Sequence, residues 1–497
     1  MVTKASSNVG SYLLLDALDA DVAVRDRTGS HTYADLRRAT AGLTDLIRRW
    51  DVEPRSRIAL LSRNSFFWVA AYLAILRSGH IAVPLAGTLA PEDAAAKARF
   101  VDCAGLLIDS ALSRAFEPVL SAARHVADES VLDDATPTQP APLHPVDPDD
   151  DAVLLFTSGT TSAPRAVRVS HGNIRANTDS IIDYLGLGRD DRMLVVLPFS
   201  YCYGASLLHT HLRVGASLSI CDTFAFPETA VEMIREHECT GFAGVPSSYQ
   251  HLLRASSFAS NPLPSLRSMQ QAGGRLPQPQ IERVTAAQPQ ADLFVMYGAT
   301  EATARLSYLP PELLSERAGS VGRGILGVTL SVVDDQGKPV GPGVVGEILA
   351  RGDNITKGYW QDPEGSAAKF VDGALRTGDL GYVDEDGFVF IVDRLSDFIK
   401  SWGVRVSSQE IEDAVLRLPG VSGAAAVGRP DPVAGEAIVL FCVTDDPEVT
   451  ERRVLSHCRA TLARNLLPHE IRLLPQLPLN DNGKVLKSAL KALALQN

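Results

Sequence analysis

The chain has 497 residues, 45% of them hydrophobic and 21% charged, with a formal net charge of −12. That length exceeds what one ordinary core supports and predicts at least two domains, the acidic balance argues against broad nucleic-acid binding, and the longest apolar run, residues 66–76, is too short to span a bilayer. Six scattered cysteines with no C-x-x-C pair argue against a disulfide framework or a zinc site and predict reduced thiols in a cytoplasm.

Near the N-terminus, Lys4 and a brief apolar run over 12–15 are cut off by Asp16, so no signal peptide is predicted. Residues 57–61 read as a strand, 65–77 as a buried helix and 80–84 as another strand. This βαβ grammar predicts a mainly parallel sheet with helices on its faces. Residues 135–151, rich in proline and aspartate, read as a linker. Then comes Phe156-Thr157-Ser158-Gly159-Thr160-Thr161-Ser162-Ala163-Pro164-Arg165, a row of small hydroxyl and glycine residues between an apolar run and the alternating run 166–169. The pattern is strand, loop, strand. Short side chains let backbone N–H groups approach an anion and the hydroxyls add donors, which suits a polyphosphate. No Gly-Lys-Ser/Thr and no helix pattern follows, so it is not a Walker loop.

A second α/β stretch runs over 179–294, and after Ser320 the texture changes to glycine-punctuated strands at 329–333, 346–350 and 387–392. Gly322-Arg323-Gly324-Ile325-Leu326-Gly327 matches a dinucleotide fingerprint, but a strand rather than a helix is predicted after it, which argues against that role. Asn354-Ile355-Thr356 matches a glycosylation acceptor without a secretory context. Helices are predicted at 408–417 and 451–462, with a domain boundary near 394–397 that gives units 1–394 and 395–497.

Three further segments carry candidate chemistry. Met296-Tyr297-Gly298-Ala299-Thr300-Glu301 follows an apolar run and offers a ring for a base, a glycine for a phosphate and a carboxylate for magnesium. Arg376-Thr377-Gly378-Asp379 sets a carboxylate beside a turn, suited to vicinal ribose hydroxyls, with Asp393-Arg394 downstream. Asn480-Asp481-Asn482-Gly483-Lys484 favours a tight turn with Lys484 on its tip. Singly, each admits a plainer reading: Tyr297 as core, Asp379 as a turn residue, Lys484 as a solvated lysine.

Together, in this order, these motifs closely resemble the adenylate-forming superfamily of acyl-CoA synthetases, aryl-acid ligases, luciferases and stand-alone adenylation domains. Leu76-Arg77-Ser78-Gly79, Val83-Pro84-Leu85 and Gly319-Ser320-Val321-Gly322-Arg323 extend the resemblance over almost the whole chain. It implies an α/β fold, with a large N-terminal domain of mixed sheets and a small mobile C-terminal α+β lid. ATP and Mg2+ are the implied cofactors. The resemblance assigns the triphosphate to Thr157, Ser158, Gly159, Thr160 and Thr161, adenine to Gly273, Gly274 and Tyr297, the α-phosphate to Thr300, magnesium to Glu301, and the ribose to Asp379 and Arg394. Lys484 would bridge the acid and the α-phosphate. Lid rotation about Ser396 would replace it with the segment 400–403, including Lys400, for thioester formation. Arg165 stands where the family carries lysine, a fork in place of a point charge.

By the same resemblance, Tyr201, Cys202, Tyr203, Ser206, Gln270, Ala272, Met296 and Ala304 line the acid pocket. Amino-acid-activating relatives carry aspartate where Cys202 stands, so an ordinary α-amino acid is disfavoured. A medium acyl, aryl, side-chain-modified or β-amino acid fits. The expected product is a thioester on a carrier-protein phosphopantetheine or on coenzyme A. The compact length and arginines 452, 453, 459, 464 and 472 tilt the expectation toward a separate carrier protein, although a solvated helix face explains those arginines equally simply. Alternatives are transfer of the acyl-adenylate to another acceptor, or binding without catalysis. No nucleic acid or membrane partner is expected.

Overall fold

The structure, a computed structural model, describes residues 7–121, 123–132, 143–157, 164–444, 446–480 and 483–496. Ser158, Gly159, Thr160 and Thr161, and Asp481 and Asn482 of the predicted turn, lie outside the described residues.

The predicted βαβ start is present. Arg57–Leu61 lies between Ile81–Leu85 and Cys103–Ile108, parallel to both. Asp151–Phe156 joins the same six-stranded sheet in parallel, and Ala166–Ser170 returns antiparallel. The strands on either side of the linker, His125–Ala127 and Asp151–Phe156, belong to this one sheet. The second sheet has nine strands, with Arg192–Val195, Gly241–Gly244, Ser268–Gln271 and Asp292–Tyr297 parallel at its centre. Its far edge is N-terminal: Val22–Asp26 pairs with Ser217–Ile220 through Val24↔Leu218.

Helices between the two sheets make the main core. Phe66–Arg77 begins where Ser65 accepts from the Trp68 N–H, and every residue over 66–76 is buried. An all-round apolar sequence follows from packing on every side. His171–Leu185, with Ser170 and Asn173 as a capping box and Gly186 in the left-handed region at its end, lies beside Cys202–Arg213. This layer forms the back wall of the site.

A third, antiparallel sheet includes Thr329–Val333, Gly346–Arg351 and Val389–Arg394. The strand at Thr329–Val333 follows the Gly322–Gly327 run, as a non-dinucleotide reading requires. The small C-terminal domain wraps Gly435–Thr444 and Val421–Asp431 with helices Ser408–Leu416, Glu451–Thr461 and Lys487–Ala494. Asp393, 1% exposed, accepts from the Ser408 N–H at 2.7 Å and its hydroxyl at 2.8 Å. A carboxylate at a helix start is favoured by the N-terminal dipole, and here it ties the last large-domain strand to the first lid helix. All six cysteines are free. Among the described residues no helix is long and apolar enough to cross a membrane.

Candidate active site

The strand Asp292–Tyr297 delivers the first site residues. Gly298 is needed for packing, because a Cβ there would lie 1.7 Å from the Ala304 carbonyl oxygen. After the single turn Thr300–Ala302, Thr303 takes φ 65°, which is strained for a β-branched residue. Its hydroxyl donates to the Asn354 carbonyl at 2.7 Å. The Asn354 amide in turn donates to the Arg305 carbonyl at 2.7 Å. Asn354 is 2% exposed, so this apparent glycosylation acceptor is an internal brace that holds the Thr300-Glu301 turn.

Glu301 Oε1 accepts from the Tyr359 hydroxyl at 2.7 Å, and the Arg165 guanidinium stacks over the Tyr359 ring at 4.8 Å. Burial and Glu301 both push the Tyr359 phenol pKa up. The Thr157 N–H donates to the Arg165 carbonyl at 3.1 Å. The two roots of the hydroxyl-rich loop are thus joined and stand beside Glu301. The sequence reading missed Tyr359; the signal was Gly358-Tyr359-Trp360, an aromatic pair in a glycine-opened turn.

A second corner collects Tyr297, Asp379 and Arg394. The Tyr297 hydroxyl donates to Asp379 Oδ2 at 2.5 Å, and Arg394 Nε lies 3.2 Å from Oδ1. Asp379 is buried. Burial, then Asp379, raise the Tyr297 phenol well above its ordinary range. Lys369, also missed, donates to the Thr377 carbonyl at 2.8 Å and adds a cation near this corner.

Lys484 comes from the lid. Leu479 bridges Val485, the Lys484 N–H donates to Asn480 Oδ1 at 3.0 Å, and Gly483 has φ 73°. This tight turn is pinned to the large domain where the Ser247 hydroxyl donates to the Gly483 carbonyl at 2.8 Å. The Lys484 ammonium sits over the Tyr201 ring at 5.6 Å, and its Cε would be 3.6 Å from a Cβ on Gly273. Burial and Arg394 lower its pKa, while Cys202, Asp379 and Glu301 oppose that shift. Gly274 packs on Pro246. Lys400, by contrast, is exposed on the hairpin Ile399–Ser401 and Val404–Val406, and its N–H donates to Glu436.

The predicted acid-pocket residues converge. The Thr300 hydroxyl reaches Cys202 Sγ at 3.4 Å. Tyr203 donates to the Gln270 carbonyl at 2.9 Å, Ser206 donates to the Tyr203 carbonyl at 2.7 Å, and Ala272, Met296 and Ala304 are buried in the same core. Met296 Sδ accepts from Tyr184 at 3.0 Å. Arg305, 1% exposed and absent from the sequence reading, stacks over Tyr203 at 4.9 Å.

Between the domains lies a cleft of about 1560 Å³, lined in part by Gly273, Gly274, Arg394 and Lys484. Arg275 closes one side, 2.6 Å from Asp413 and 3.2 Å from Gln409 across the domain junction. Among the C-terminal arginines, 452, 453 and 459 lie on the exposed face of their helix. Arg472 turns inward, to the Leu493 carbonyl at 2.6 Å.

The profile of the family described as AMP-binding enzyme matches residues 17–360, and that described as AMP-binding enzyme C-terminal domain matches 410–484. The chain is 31% identical to a feruloyl-CoA synthase of Amycolatopsis sp over 94% of its own length and 95% of the relative's. It is 28% identical to the long-chain-fatty-acid–CoA ligase FadD13 of Mycobacterium tuberculosis over 93% and 92%. The crystal structure of ATP-bound MatB from Rhodopseudomonas palustris superposes with a TM-score of 0.90 at 25% identity, over 99% of each chain. O-succinylbenzoate coenzyme A synthetase (MenE) from Bacillus subtilis, in complex with ATP and magnesium, superposes with a TM-score of 0.86 at 27% identity, over 97% of this chain and 99% of that one.

Proposed function

The chain belongs to the AMP-binding enzyme family, and from that premise we propose that it activates a carboxylic acid with ATP at the corner described above and passes the acyl group to coenzyme A. It is an ATP-dependent acid–thiol ligase. The observation that carries the site assignment is the Lys484 ammonium lodged beside Tyr201 and Gly273, near Cys202, Asp379 and Glu301.

In the first half-reaction a carboxylate oxygen attacks the α-phosphorus and the bond to pyrophosphate breaks. Anion meets anion, so fixed positive charge is required. Lys484 supplies it from the lid side, and Arg165 with the Thr157–Thr161 loop supplies donors at the β and γ phosphates. Thr300 orients the α-phosphate. Asp379 accepts the ribose hydroxyls, exchanging its present bond to Tyr297 for them. Among the described residues no cluster of three His, Cys, Asp or Glu could hold a metal alone. The Glu301 carboxylate, beside the root of the phosphate loop, is the residue that would hold a magnesium ion, and the ion would supply further charge neutralisation on the phosphates.

In the second half-reaction the thiol attacks the acyl carbonyl and AMP leaves. We place the domain junction at 394–395 and the hinge at Ser396; rotation there would withdraw Lys484 and bring Lys400 inward. Coenzyme A is the favoured thiol because relatives across nearly the full length are CoA ligases, and the inward-turned Arg472 weakens the idea of an arginine patch for a carrier. The test is ATP–pyrophosphate exchange over a panel of acids, followed by thioester formation at micromolar coenzyme A. Turnover only with a carrier protein would reverse the choice of thiol.

Two expectations follow from the pocket and the domain junction. Cys202 is 7% exposed and has a buried cation, Arg305, as its neighbour, so an α-ammonium would be buried without an anion and near a like charge. Common α-amino acids should exchange at least about tenfold worse in kcat/KM than non-amino acids of similar size; a common α-amino acid as the best substrate contradicts this. Arg275→Ala removes the junction's ion pair with Asp413. If the pair holds the lid for adenylation, exchange should fall by about fivefold while thioester formation from pre-made acyl-adenylate is unchanged or faster. Equal loss in both steps rejects that role.

A further inference from the structure

Next to Tyr203 and Ala304, two of the residues expected to line the acid pocket, lies a buried charge that adenylation does not use. Arg305 is 1% exposed, and no carboxylate among the described residues pairs with it. Its Nε donates to the Tyr184 hydroxyl at 3.0 Å, and its guanidinium lies over the Tyr203 ring at 4.9 Å. Its Nη2 is buried and finds no protein partner. Tyr203 also marks the position of Gln270, whose backbone carbonyl accepts the Tyr203 hydroxyl. The Gln270 side chain is fully buried, and neither its Nε2 nor its Oε1 finds a protein partner.

Strand alternation gives that amide its direction. The next side chain, Gln271, turns to the Ala272 and Gly274 carbonyls. Gln270 therefore shares the opposite face with Phe294, its register neighbour, and Met296, both in the core that faces Tyr184 and Tyr203. Three orphaned polar atoms, and a charge with no carboxylate beside it, thus belong to the core that holds Tyr184 and Tyr203.

Buried charges in proteins are normally paired, and a buried donor or acceptor without a partner is costly. A π face offsets part of a cation's desolvation but cannot accept in-plane N–H bonds. A purely structural arginine would be served by Tyr184 and Tyr203; Nη2 and the Gln270 amide would still be idle.

We propose that the acid activated by this enzyme carries a second carboxylate at its distal end, held by Arg305 and the Gln270 amide. This rests on the acid-ligase reading above. The reacting carboxylate takes the Lys484 end and the distal one the Arg305 end; both cations lie within electrostatic reach of Cys202. A neutral distal hydroxyl would occupy a donor but leave the guanidinium charge unanswered.

The test is ATP–pyrophosphate exchange on matched acids, in which short linear and aryl-linked dicarboxylates are each paired with the monocarboxylate bearing a methyl in place of the distal carboxylate. The wild-type enzyme is expected to prefer the dicarboxylate of its best pair by about a hundredfold in kcat/KM. Arg305→Met is expected to bring that ratio near unity by losing the dicarboxylate while the monocarboxylate holds or improves. Arg305→Lys should keep part of the preference. Gln270→Leu leaves the charge in place, should lower the same ratio by about tenfold, and decides the matter even where an Arg305 variant does not fold. A best substrate with an apolar tail, a Gln270→Leu ratio equal to wild type, or an Arg305→Met loss shared equally by both members of a pair overturns the proposal. Exchange with no acid at all sinks the ligase reading and the proposal with it, whereas the other outcomes leave that reading standing.

Discussion

Lys484→Ala is expected to lower acid-dependent pyrophosphate exchange by about a hundredfold or more, the loss typical of removing a charge aimed at the transition state. The lysine sits on a short turn whose position does not depend on its ammonium: Asn480 and the Ser247 hydroxyl hold the backbone of Gly483 and Lys484. Truncation should therefore remove charge without moving the lid. Thioester formation from pre-made acyl-adenylate should be nearly unchanged, because in the proposed mechanism rotation about Ser396 withdraws Lys484 for that step. A pH profile adds an independent readout. Burial and the Arg394 guanidinium hold the free-enzyme Lys484 pKa below its ordinary value of 10.5. Its charge is present at low pH and lost as pH rises, so the alkaline limb of kcat/KM for exchange should fall earlier than an ordinary lysine would allow. Equal loss in both half-reactions, or an alkaline limb that persists in Lys484→Ala, contradicts the assignment.

Short-range patterns made much of this legible. A continuous apolar run located the helix Phe66–Arg77 and glycine punctuation the strand Thr329–Val333, because those signals are local. Tyr297, Asp379 and Arg394 come together: Tyr297 and Arg394 end their strands, and Asp379 follows Gly378, at φ 79° beside a register shift inside the strand Ala374–Val383. What stayed hidden depends on contacts between distant segments. Val24↔Leu218 puts an N-terminal strand in the second sheet, and nothing local in either strand announces that pairing. Arg305 looks like any arginine in its stretch until Tyr184 and Tyr203 close around it. Asn354 is similar: its triplet, set aside as a glycosylation match without secretory context, gave no hint of a role, and burial against the Ala302 and Arg305 carbonyls makes it a brace.

Glu301→Gln should be the other severe lesion, lowering exchange by about a hundredfold at limiting magnesium and raising the magnesium concentration needed for half-maximal rate. The substitution keeps shape and removes charge. An amide oxygen can still accept from the Tyr359 hydroxyl, now 2.7 Å from Oε1, so the turn and the stacked Arg165 should persist. The contrast with Tyr359→Phe is what makes the result diagnostic. That variant keeps the Glu301 carboxylate and the ring under Arg165, losing only the hydroxyl, and should cost about tenfold or less. It should leave the magnesium dependence close to wild type, because the ligand charge is intact. If Glu301 were merely a structural acceptor for Tyr359, the two variants would behave alike and excess magnesium would rescue neither. Partial rescue of Glu301→Gln by magnesium, without rescue of Tyr359→Phe, assigns the carboxylate to the metal and the phenol to holding it in place.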